Sequence, residues 1–350
     1  MSMQTLSQLG WRPSYAQHLS LADFESGYPA RVTAVHRSGL SVLSSRGAGS
    51  VILPHHLVDA PSAVAVGDWV LVEHEADRVT RLLERQSLIE RVAAGDEHRR
   101  QSIAANIDTL FIVTSCNDDF NLSRLERYLA LASEAGVEPV VVLTKTDLSH
   151  QASDYVAEAA GTLGAVTVLA LNATDATAVA QLAPWLEAGR TVAFVGSSGV
   201  GKSTLTNGLL GDRSQQTQAI REDDARGRHT TTAREMFRTD SGAWLIDTPG
   251  MRELRIGAVE SGLAAVFDDI EALAAQCRFR DCHHHGDADC AVERALAEGV
   301  LDQRRLANYR KLQREAAAAQ RTLREQRERS RQFGAMTKAV MRAKRDRLGR

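Results

Sequence analysis

The chain carries two hydrophobic patterns, and the change between them falls near Asn106. From Ala30 to Arg91, apolar and polar positions alternate in short runs that glycines and prolines interrupt. An alternation with a period of two is typical of half-buried strands, so this part is predicted to form short antiparallel strands. Such strands close into small β-barrels, and an OB-type barrel is one candidate.

After Asn106, near-continuous apolar runs alternate with amphipathic stretches. The runs are TLFIVTS, VEPVVVLTK, AVTVLAL and TVAFVG, and the predicted helices between them cover LSRLERYLALASEAG, Ala152 to Thr162 and Ala176 to Glu187. Strands that are apolar throughout and separated by helices predict a parallel α/β sheet with helices on both faces. Ligands of such sheets bind beyond the carboxyl ends of the strands, so functional motifs are expected directly after each run.

A third pattern follows Met251. It begins with helical stretches and continues into a run from Val300 to Phe333 without glycine or proline. Apolar residues recur there every three or four positions, at Leu306, Tyr309, Leu312, Ala316, Ala319 and Leu323. This spacing predicts one long helix with a narrow apolar stripe. The chain is therefore predicted to contain an N-terminal segment with an OB-like barrel (1–95), an α/β domain (96–256) and a helical C-terminal domain (257–350).

The run TVAFVG leads into a phosphate-binding motif. The G-x-x-x-x-G-K-S pattern follows a strand and opens a helix, and it consists of Gly196, Ser197, Ser198, Gly199, Val200, Gly201, Lys202 and Ser203, followed by Thr204. Glycines let backbone N–H groups surround phosphates, and the helix N-terminus favours negative charge. We expect Lys202 to reach the β- and γ-phosphates and Ser203 to bind Mg²⁺, which identifies the α/β part as a P-loop domain.

Two further motifs follow strands. Asp247-Thr248-Pro249-Gly250 comes after AWLI. Asp247 is placed to bind a water that is a ligand of Mg²⁺, and the N–H of Gly250 is placed to bind the γ-phosphate. The second motif, Thr144-Lys145-Thr146-Asp147, comes after VVVL and is similar to the N-K-x-D guanine loop.

A carboxylate at Asp147 can accept hydrogen bonds from N1–H and N2–H of guanine, a donor pair that adenine lacks. Lys145 is expected to lie over the base plane. Because Thr144 stands where the guanine loop has asparagine, the hydrogen bonding within this loop must differ.

The order of the motifs is permuted. In ordinary GTPases the guanine loop follows the P-loop, whereas here Asp147 precedes Gly196 by about 50 residues. Because the site is assembled from strand ends in space, a permuted chain can build the same site. The loop at Leu171-Asn172-Ala173 is expected to close over the base with backbone contacts.

Cysteine and histidine residues cluster in the C-terminal part. Cys277, Cys282 and Cys290 are three of the four cysteines, and they surround His283, His284 and His285. Three thiolates and one imidazole form a closed tetrahedral zinc site, which is structural because no ligand position stays open. On spacing alone, any of the three histidines could serve. The fourth cysteine, Cys116, is interpreted as a small buried hydrophobic residue.

The net charge of −2 conceals an uneven distribution. Residues 303–350 contain 16 Lys or Arg against four Asp or Glu, a net charge of +12, so the rest of the chain carries −14. Residues 321–350 are expected to contact nucleic acid or to form a disordered basic tail, whereas the first arginines of the run fit a solvated helix face equally well. No apolar run approaches 18 residues and the chain begins without a signal sequence, so we expect no membrane span and a cytoplasmic location.

Together, the barrel pattern, T-K-T-D, the P-loop, G-R-H-T-T-T (Gly227 to Thr232), D-T-P-G and the Cys/His cluster resemble the ribosome small-subunit-dependent GTPase A family of circularly permuted GTPases. The resemblance covers roughly Ala30 to Leu312. It implies a cytoplasmic GTPase that binds the small ribosomal subunit and its rRNA late in maturation and is stimulated by it. We expect the nucleotide state to control docking and release. The implied cofactors are one Zn²⁺, with His284 as its histidine ligand, and Mg²⁺ bound with GTP, and a monomer is expected.

The residues for hydrolysis lie partly in a polar stretch before the strand at Glu235. One hydroxyl of Thr230, Thr231 or Thr232 is expected to bind Mg²⁺, and the resemblance favours Thr231. Met251 follows D-T-P-G, and because a thioether cannot orient water, unassisted hydrolysis is expected to be slow. His229 or a ribosomal group is predicted to orient the water.

Two other functions fit parts of the sequence. One is a P-loop ATPase or kinase, because the P-loop alone does not select the base. The other is a non-catalytic RNA-binding assembly factor that holds GTP as a structural ligand.

Overall fold

A computed structural model describes residues 5–36, 39–54, 57, 64–93, 96–211, 235–247, 259–279 and 282–321. The strands in this part of the chain are β1 (Gly27–Val35), β2 (Leu40–Ser44), β3 (Gly47–Val51), β4 (Trp69–Glu73), β5 (Val79–Leu82), β6 (Leu88–Ala93), β7 (Asp96–Ala105), β8 (Thr109–Ser115), β9 (Glu138–Thr144), β10 (Thr167–Ala170), β11 (Thr191–Val195), β12 (Glu235–Arg238) and β13 (Trp244–Asp247). The helices are α1 (Pro13–Ala16), α2 (Leu21–Ser26), α3 (Leu122–Glu134), α4 (Ala152–Thr162), α5 (Ala176–Val179), α6 (Lys202–Leu210), α7 (Glu260–Val266), α8 (Asp268–Ala274), α9 (Ala291–Ala297) and α10 (303–321).

The predicted parallel sheet is confirmed. Strands β10, β9, β8, β11 and β13 lie side by side in this order, and each pair of neighbours is parallel. All residues of β8 and β11 are buried, as expected for strands covered on both faces. Strand β12 adds to β13 in the antiparallel direction. Of the parallel strands, β8, β9 and β10 precede the P-loop strand β11 in sequence and lie on one side of it, and β13 follows it and lies on the other.

Two hydrophobic clusters cover the two faces of the parallel strands. Side chains of α3 and α4 pack on one face, and those of α5 and α6 pack on the other. Helix α3 begins at an Asn121 cap, whose side chain accepts a hydrogen bond from the N–H of Arg124 at 2.9 Å. The predicted helix from Ala176 to Glu187 is wrong in extent: α5 ends at Val179 and a 3₁₀ helix follows to Trp185. Pro184 lacks the N–H that a continued α-helix needs.

Strands β1 to β5 are antiparallel, as the alternating pattern predicts. Strand β1 pairs with β2 and β4, β2 pairs with β3, and β4 pairs with β5. Just after β3, the N–H of Ile52 donates to the carbonyl of Asp77 at 2.8 Å, and the N–H of Val79 donates back to Ile52 at 3.0 Å. These two bonds connect the end of β3 to the start of β5, and the valines of the five strands form one buried cluster. The pair Ala34 and Glu235 joins β1 to β12.

An N-terminal segment and a buried arginine hold the antiparallel strands against the parallel ones. Trp11 and Tyr15 pack on Trp69, which is only 1% exposed and so cannot serve as a surface for stacking bases. Arg31 donates to the hydroxyl of Thr191 at 2.6 Å, and burial lowers the pKa of its guanidinium to about 10. Sequence patterns did not indicate this contact, because Arg31 occupies a position in β1 that reads as polar and therefore exposed.

The C-terminal helices form a separate hydrophobic cluster around Phe267 and Tyr309. Leu306, Tyr309, Leu312 and Ala316 are buried, as the predicted stripe of the long helix requires, and Ala319 is partly buried. Leu323 lies outside the described residues. Among the described helices, none has both the length and the hydrophobicity needed to cross a lipid bilayer.

Candidate nucleotide site and metal cluster

The phosphate-binding motif lies at the carboxyl end of β11, where its glycines are required by geometry. Gly196 has a φ of 141°, and a Cβ there would come within 2.0 Å of the carbonyl oxygen of Val113. Gly201 has a φ of 96° and caps α6, which begins at Lys202. Both residues adopt left-handed conformations that side chains disfavour. The chain thus turns sharply from β11 into α6, with the N-terminus of the helix facing the space beyond the sheet.

The T-K-T-D motif lies at the carboxyl end of β9, which is two strands away from the P-loop strand β11 in the sheet. Thr144 is the last residue of β9, and Lys145 adopts a left-handed conformation with a φ of 59° before a short 3₁₀ helix over Thr146–Leu148. The hydroxyl of Thr144 is 2.6 Å from the carbonyl oxygen of Val200 in the P-loop. The structure therefore brings together the two motifs that the sequence separates.

A cavity of about 380 Å³ lies between these loops. Its lining residues belong to three strand ends and to the start of α6: Thr144, Lys145, Asp147, Leu148, Asn172, Ala173, Thr174, Ser198, Gly199, Gly201, Lys202, Ser203 and Thr204. A larger cavity of about 1070 Å³ lies against α3 and the start of α10, and no P-loop residue lines it. The smaller cavity is the candidate nucleotide site, because the phosphate-binding backbone and the candidate base-reading carboxylate meet there.

The loop after β10 has a defined turn. The side-chain oxygen of Asn172 accepts hydrogen bonds from the backbone N–H of Thr174 at 2.9 Å and from its hydroxyl at 2.8 Å. This turn places Asn172, Ala173 and Thr174 along the cavity. The region that was expected to close over the base therefore borders the same space as Asp147.

Lys202 folds back onto the P-loop. Its ammonium donates to the carbonyl oxygens of Gly196, at 2.7 Å, and Ser197. Ser203 and Thr204 are exposed at the start of α6. Asp247 ends β13, next to the P-loop strand in the sheet, so its backbone reaches the same edge. Gly250, His229 and Thr231 lie outside the described residues, and so do Thr230, Thr232 and Met251.

Arg124 is a contact residue of the P-loop that sequence reasoning missed. Its guanidinium donates to the hydroxyl of Ser197 and to the carbonyl oxygen of Asp119, and it forms an ion pair with the Asp119 carboxylate at 3.1 Å. Arg124 lies in the first turn of α3, where an arginine reads as one charge of an amphipathic helix. No sequence signal connected it to a motif 73 positions away.

The four predicted zinc ligands come together. The sulfurs of Cys277 and Cys290 are 3.9 Å apart, and Nδ1 of His284 is 3.5 Å from each of them. All four ligand atoms, including the sulfur of Cys282, lie within 4.8 Å of one another. Thiolates bound to zinc at ~2.3 Å in a tetrahedron lie about 3.8 Å apart, so the observed spacings fit a Zn²⁺ ion. His283 and His285 are exposed and lie outside this group.

Electrostatics at two of the four ligands suit metal binding. Burial, together with the nearby positive charge of Arg310, lowers the pKa of His284 and favours the neutral imidazole that binds metals. Burial acts to raise the pKa of the Cys277 thiol, but backbone hydrogen bonds from Ala291 and Val292 outweigh it and lower that pKa. The carboxylate of Asp287 accepts the N–H groups of His283 and His285 at 3.0 and 3.2 Å, which fixes the loop around His284.

The remaining cysteine behaves as predicted. Cys116 follows β8 and is only 3% exposed. Burial raises the pKa of its thiol, which keeps it neutral and unreactive.

The fold and the cavity define a P-loop nucleotide-binding protein with a permuted strand order. Solved structures share this fold. YjeQ from Thermotoga maritima has a TM-score of 0.61 at 22% identity and aligns over 83% of this chain and 99% of its own. YloQ, described as a circularly permuted GTPase, has a TM-score of 0.59 at 22% identity, over 83% of this chain and 96% of its own. The predicted permutation agrees with the description of YloQ as circularly permuted.

Sequence comparison is more specific. The model of the RsgA GTPase family matches residues 82–257. A protein of Vibrio vulnificus named small ribosomal subunit biogenesis GTPase RsgA 2 is 52% identical over 96% of this chain and 95% of its own length. A Mesorhizobium japonicum relative, named small ribosomal subunit biogenesis GTPase RsgA, is 48% identical over 89% of this chain and 90% of its own. The chain belongs to the RsgA GTPase family, as the resemblance predicted.

Proposed function

We propose that this chain is a GTP hydrolase that acts in the biogenesis of the small ribosomal subunit, with the nucleotide state controlling docking and release. The observation that carries the proposal is the cavity in which the P-loop and the T-K-T-D loop meet despite their permuted order. Relatives named small ribosomal subunit biogenesis GTPases match 89% or more of the chain, which supports the same role here.

The described residues take the following roles in this proposal. The ammonium of Lys202 leaves the carbonyls of Gly196 and Ser197 to bind the β- and γ-phosphates. The carboxylate of Asp147 accepts N1–H and N2–H of guanine, and the stem of Lys145 covers the base. The backbone N–H groups of the P-loop bind the remaining phosphate oxygens. The bonds of Lys202 to phosphate and of Asp147 to guanine are charge-assisted, which makes them stronger than hydrogen bonds between neutral groups.

Mg²⁺ fits the residues at the start of α6. Ser203 is exposed at the cavity, and Asp247 ends a strand at the same edge. We assign the hydroxyl of Ser203 as its ligand and Asp247 as the acceptor for a water that it holds. The ion would neutralise negative charge on the transferred phosphoryl group. Three assignments remain predictions from the sequence: Thr231 binds Mg²⁺, Gly250 binds the γ-phosphate and His229 orients the water.

The other parts of the chain provide the contacts to rRNA in this proposal. The closed order of pairing among β1, β2, β3, β5 and β4 supports an OB-like barrel within residues 1–95, followed by a permuted G domain (96–256) and a zinc-binding helical domain (257–350). The Cys/His cluster holds one structural Zn²⁺, because four protein ligands leave no position for substrate. We propose a cytoplasmic location, in line with the ribosome biogenesis role named for the relatives, and a monomeric state.

Competition binding tests the nucleotide assignment. The chain should bind GDP and GTP at least about 100-fold more tightly than ADP and ATP, because adenine offers Asp147 no donor pair. Equal competition by ATP would instead favour a P-loop ATPase or kinase. Co-sedimentation with purified subunits tests the partner: binding to small subunits should depend on the nucleotide, and large subunits should not retain the protein.

A further inference from the structure

Thr144 is the residue at which this chain departs from the N-K-x-D pattern. It ends β9 with 0% of its surface exposed. Its hydroxyl oxygen lies 2.6 Å from the carbonyl oxygen of Val200 and 3.1 Å from that of Thr114. A carbonyl oxygen can only accept, and a threonine hydroxyl carries one proton. That proton is therefore committed to the backbone, and the shorter distance assigns it to Val200.

The same side chain also packs against the residue that precedes the phosphate-binding lysine. A Cβ placed on Gly201 would meet three Thr144 atoms first, with Oγ1 at 3.4 Å and Cβ and Cγ2 at 3.6 Å each. Gly201 has a φ of 96°, a conformation that favours glycine at this turn. Thr144 thus fills the space between the base loop and the turn into α6.

These contacts give Thr144 a role different from that of Asp147. Asp147 is exposed at the cavity, as a residue that meets the base must be. Thr144 is fully buried, and its single hydroxyl proton is donated to the carbonyl oxygen of Val200 in the P-loop. A guanine ring offers the acceptors O6 and N7 in addition to its donors, and the Thr144 hydroxyl has no proton left for either acceptor.

We propose that Thr144 is a positioning residue that ties the base loop to the P-loop and makes no hydrogen bond with the base. Base recognition within the T-K-T-D motif then rests on Asp147, and the Thr144 hydroxyl supports nucleotide binding through the P-loop backbone. This inference rests on the proposed binding of guanine nucleotides.

The test compares nucleotide analogues on Thr144→Val, which removes the hydroxyl but keeps the volume. GDP, 7-deaza-GDP, which lacks N7, and IDP, which lacks the 2-amino group, report on the base edge. Thr144→Val should weaken the binding of all three nucleotides by the same factor, about tenfold, because the buried carbonyl oxygen of Val200 loses its hydrogen-bond donor. Thr144→Ser keeps the hydroxyl and should restore binding to within about threefold of the unmodified chain.

A matched control separates this role from a general loss of stability. Thr109 is also buried in the sheet, but it begins β8 at the opposite edge and its hydroxyl lies 3.5 Å from the Glu138 carboxylate. Thr109→Val should leave GDP affinity unchanged. The proposal is overturned if Thr144→Val weakens GDP much more than 7-deaza-GDP or IDP, if Thr144→Ser does not rescue binding, or if Thr109→Val causes the same loss. Tight ADP binding by the unmodified chain would instead contradict the proposed function.

Discussion

Replacing Glu126 by alanine should loosen the attachment of the C-terminal helix α10 to helix α3. The Glu126 side chain is fully buried, and its two oxygens accept four hydrogen bonds from α10. Two come from Arg304 at 3.0 and 3.1 Å, one from Arg305 at 3.0 Å and one from Asn308 at 2.6 Å. The carboxylate is enclosed between the two helices, so alanine at this position removes all four bonds at once.

The loss of free energy in Glu126→Ala depends on how well the arginines that remain can find other partners or water. Breaking a buried ion pair by removing one partner costs ~3–5 kcal/mol, because the remaining charge stays desolvated. Arg304 is 36% exposed and can turn toward water, and Arg305 keeps its ion pair with Asp269 at 2.7 Å. We therefore expect the lower end of this range, about 3 kcal/mol, or more than a hundredfold in the equilibrium for opening of α10.

Hydrogen exchange of the backbone amides in α10 measures this opening directly. Glu126→Ala should speed exchange there more than a hundredfold and leave β8 and β9 protected. A control is the pair Arg127 and Glu315, which joins the same helices at 2.7 Å but is 21% and 34% exposed. Arg127→Met should cost at most about 1 kcal/mol, since solvent weakens exposed pairs. Exchange in Glu126→Ala within threefold of the unmodified chain would show that the buried carboxylate does not hold α10 in place.

Three further predictions concern the candidate sites. Asp147→Asn should weaken GDP binding at least about 100-fold and improve binding of xanthosine diphosphate, whose 2-oxo group accepts from an amide; calorimetry that finds unchanged GDP affinity would contradict it. Arg124→Ala frees the hydroxyl of Ser197 and should lower GDP affinity about fivefold, whereas Arg127→Met on the same helix should not. Chelation of zinc, or Cys282→Ser, should increase hydrogen exchange in α9 and α10 and leave GDP affinity within about twofold; loss of GDP binding would show that the cluster supports the nucleotide site instead.

The parallel strands and the P-loop were predictable because their local patterns carry the information. The run TLFIVTS became β8 with every residue buried, and the glycines of the P-loop occupy conformations that only glycine adopts easily. The helix from Ala152 to Thr162 has the predicted bounds. In these segments the hydrophobic period, the turn residues and the motif all predict the same structure, so the sequence allows only one interpretation.

The features that sequence reasoning missed depend on partners distant in the chain. Strand β7, which runs from Asp96 to Ala105 and pairs with β6, begins with charged residues and gives no apolar run. Arg31 and Glu126 read as surface charges, yet both are buried against partners distant in the chain. Thr191 lies 160 positions from Arg31, and Arg304 lies 178 positions from Glu126. The link between Thr144 and Val200 also spans 56 positions. Tertiary contacts of this kind leave no local pattern, so only the folded structure reveals them.

We propose that this chain hydrolyses GTP in response to the small ribosomal subunit. The most direct measurement is the rate of phosphate release from GTP by the full chain alone, with purified small subunits and with large subunits. We predict slow turnover alone, a rise of at least about tenfold with small subunits and no change with large subunits. Equal rates in all three conditions would contradict the account and favour an RNA-binding assembly factor that holds GTP as a structural ligand.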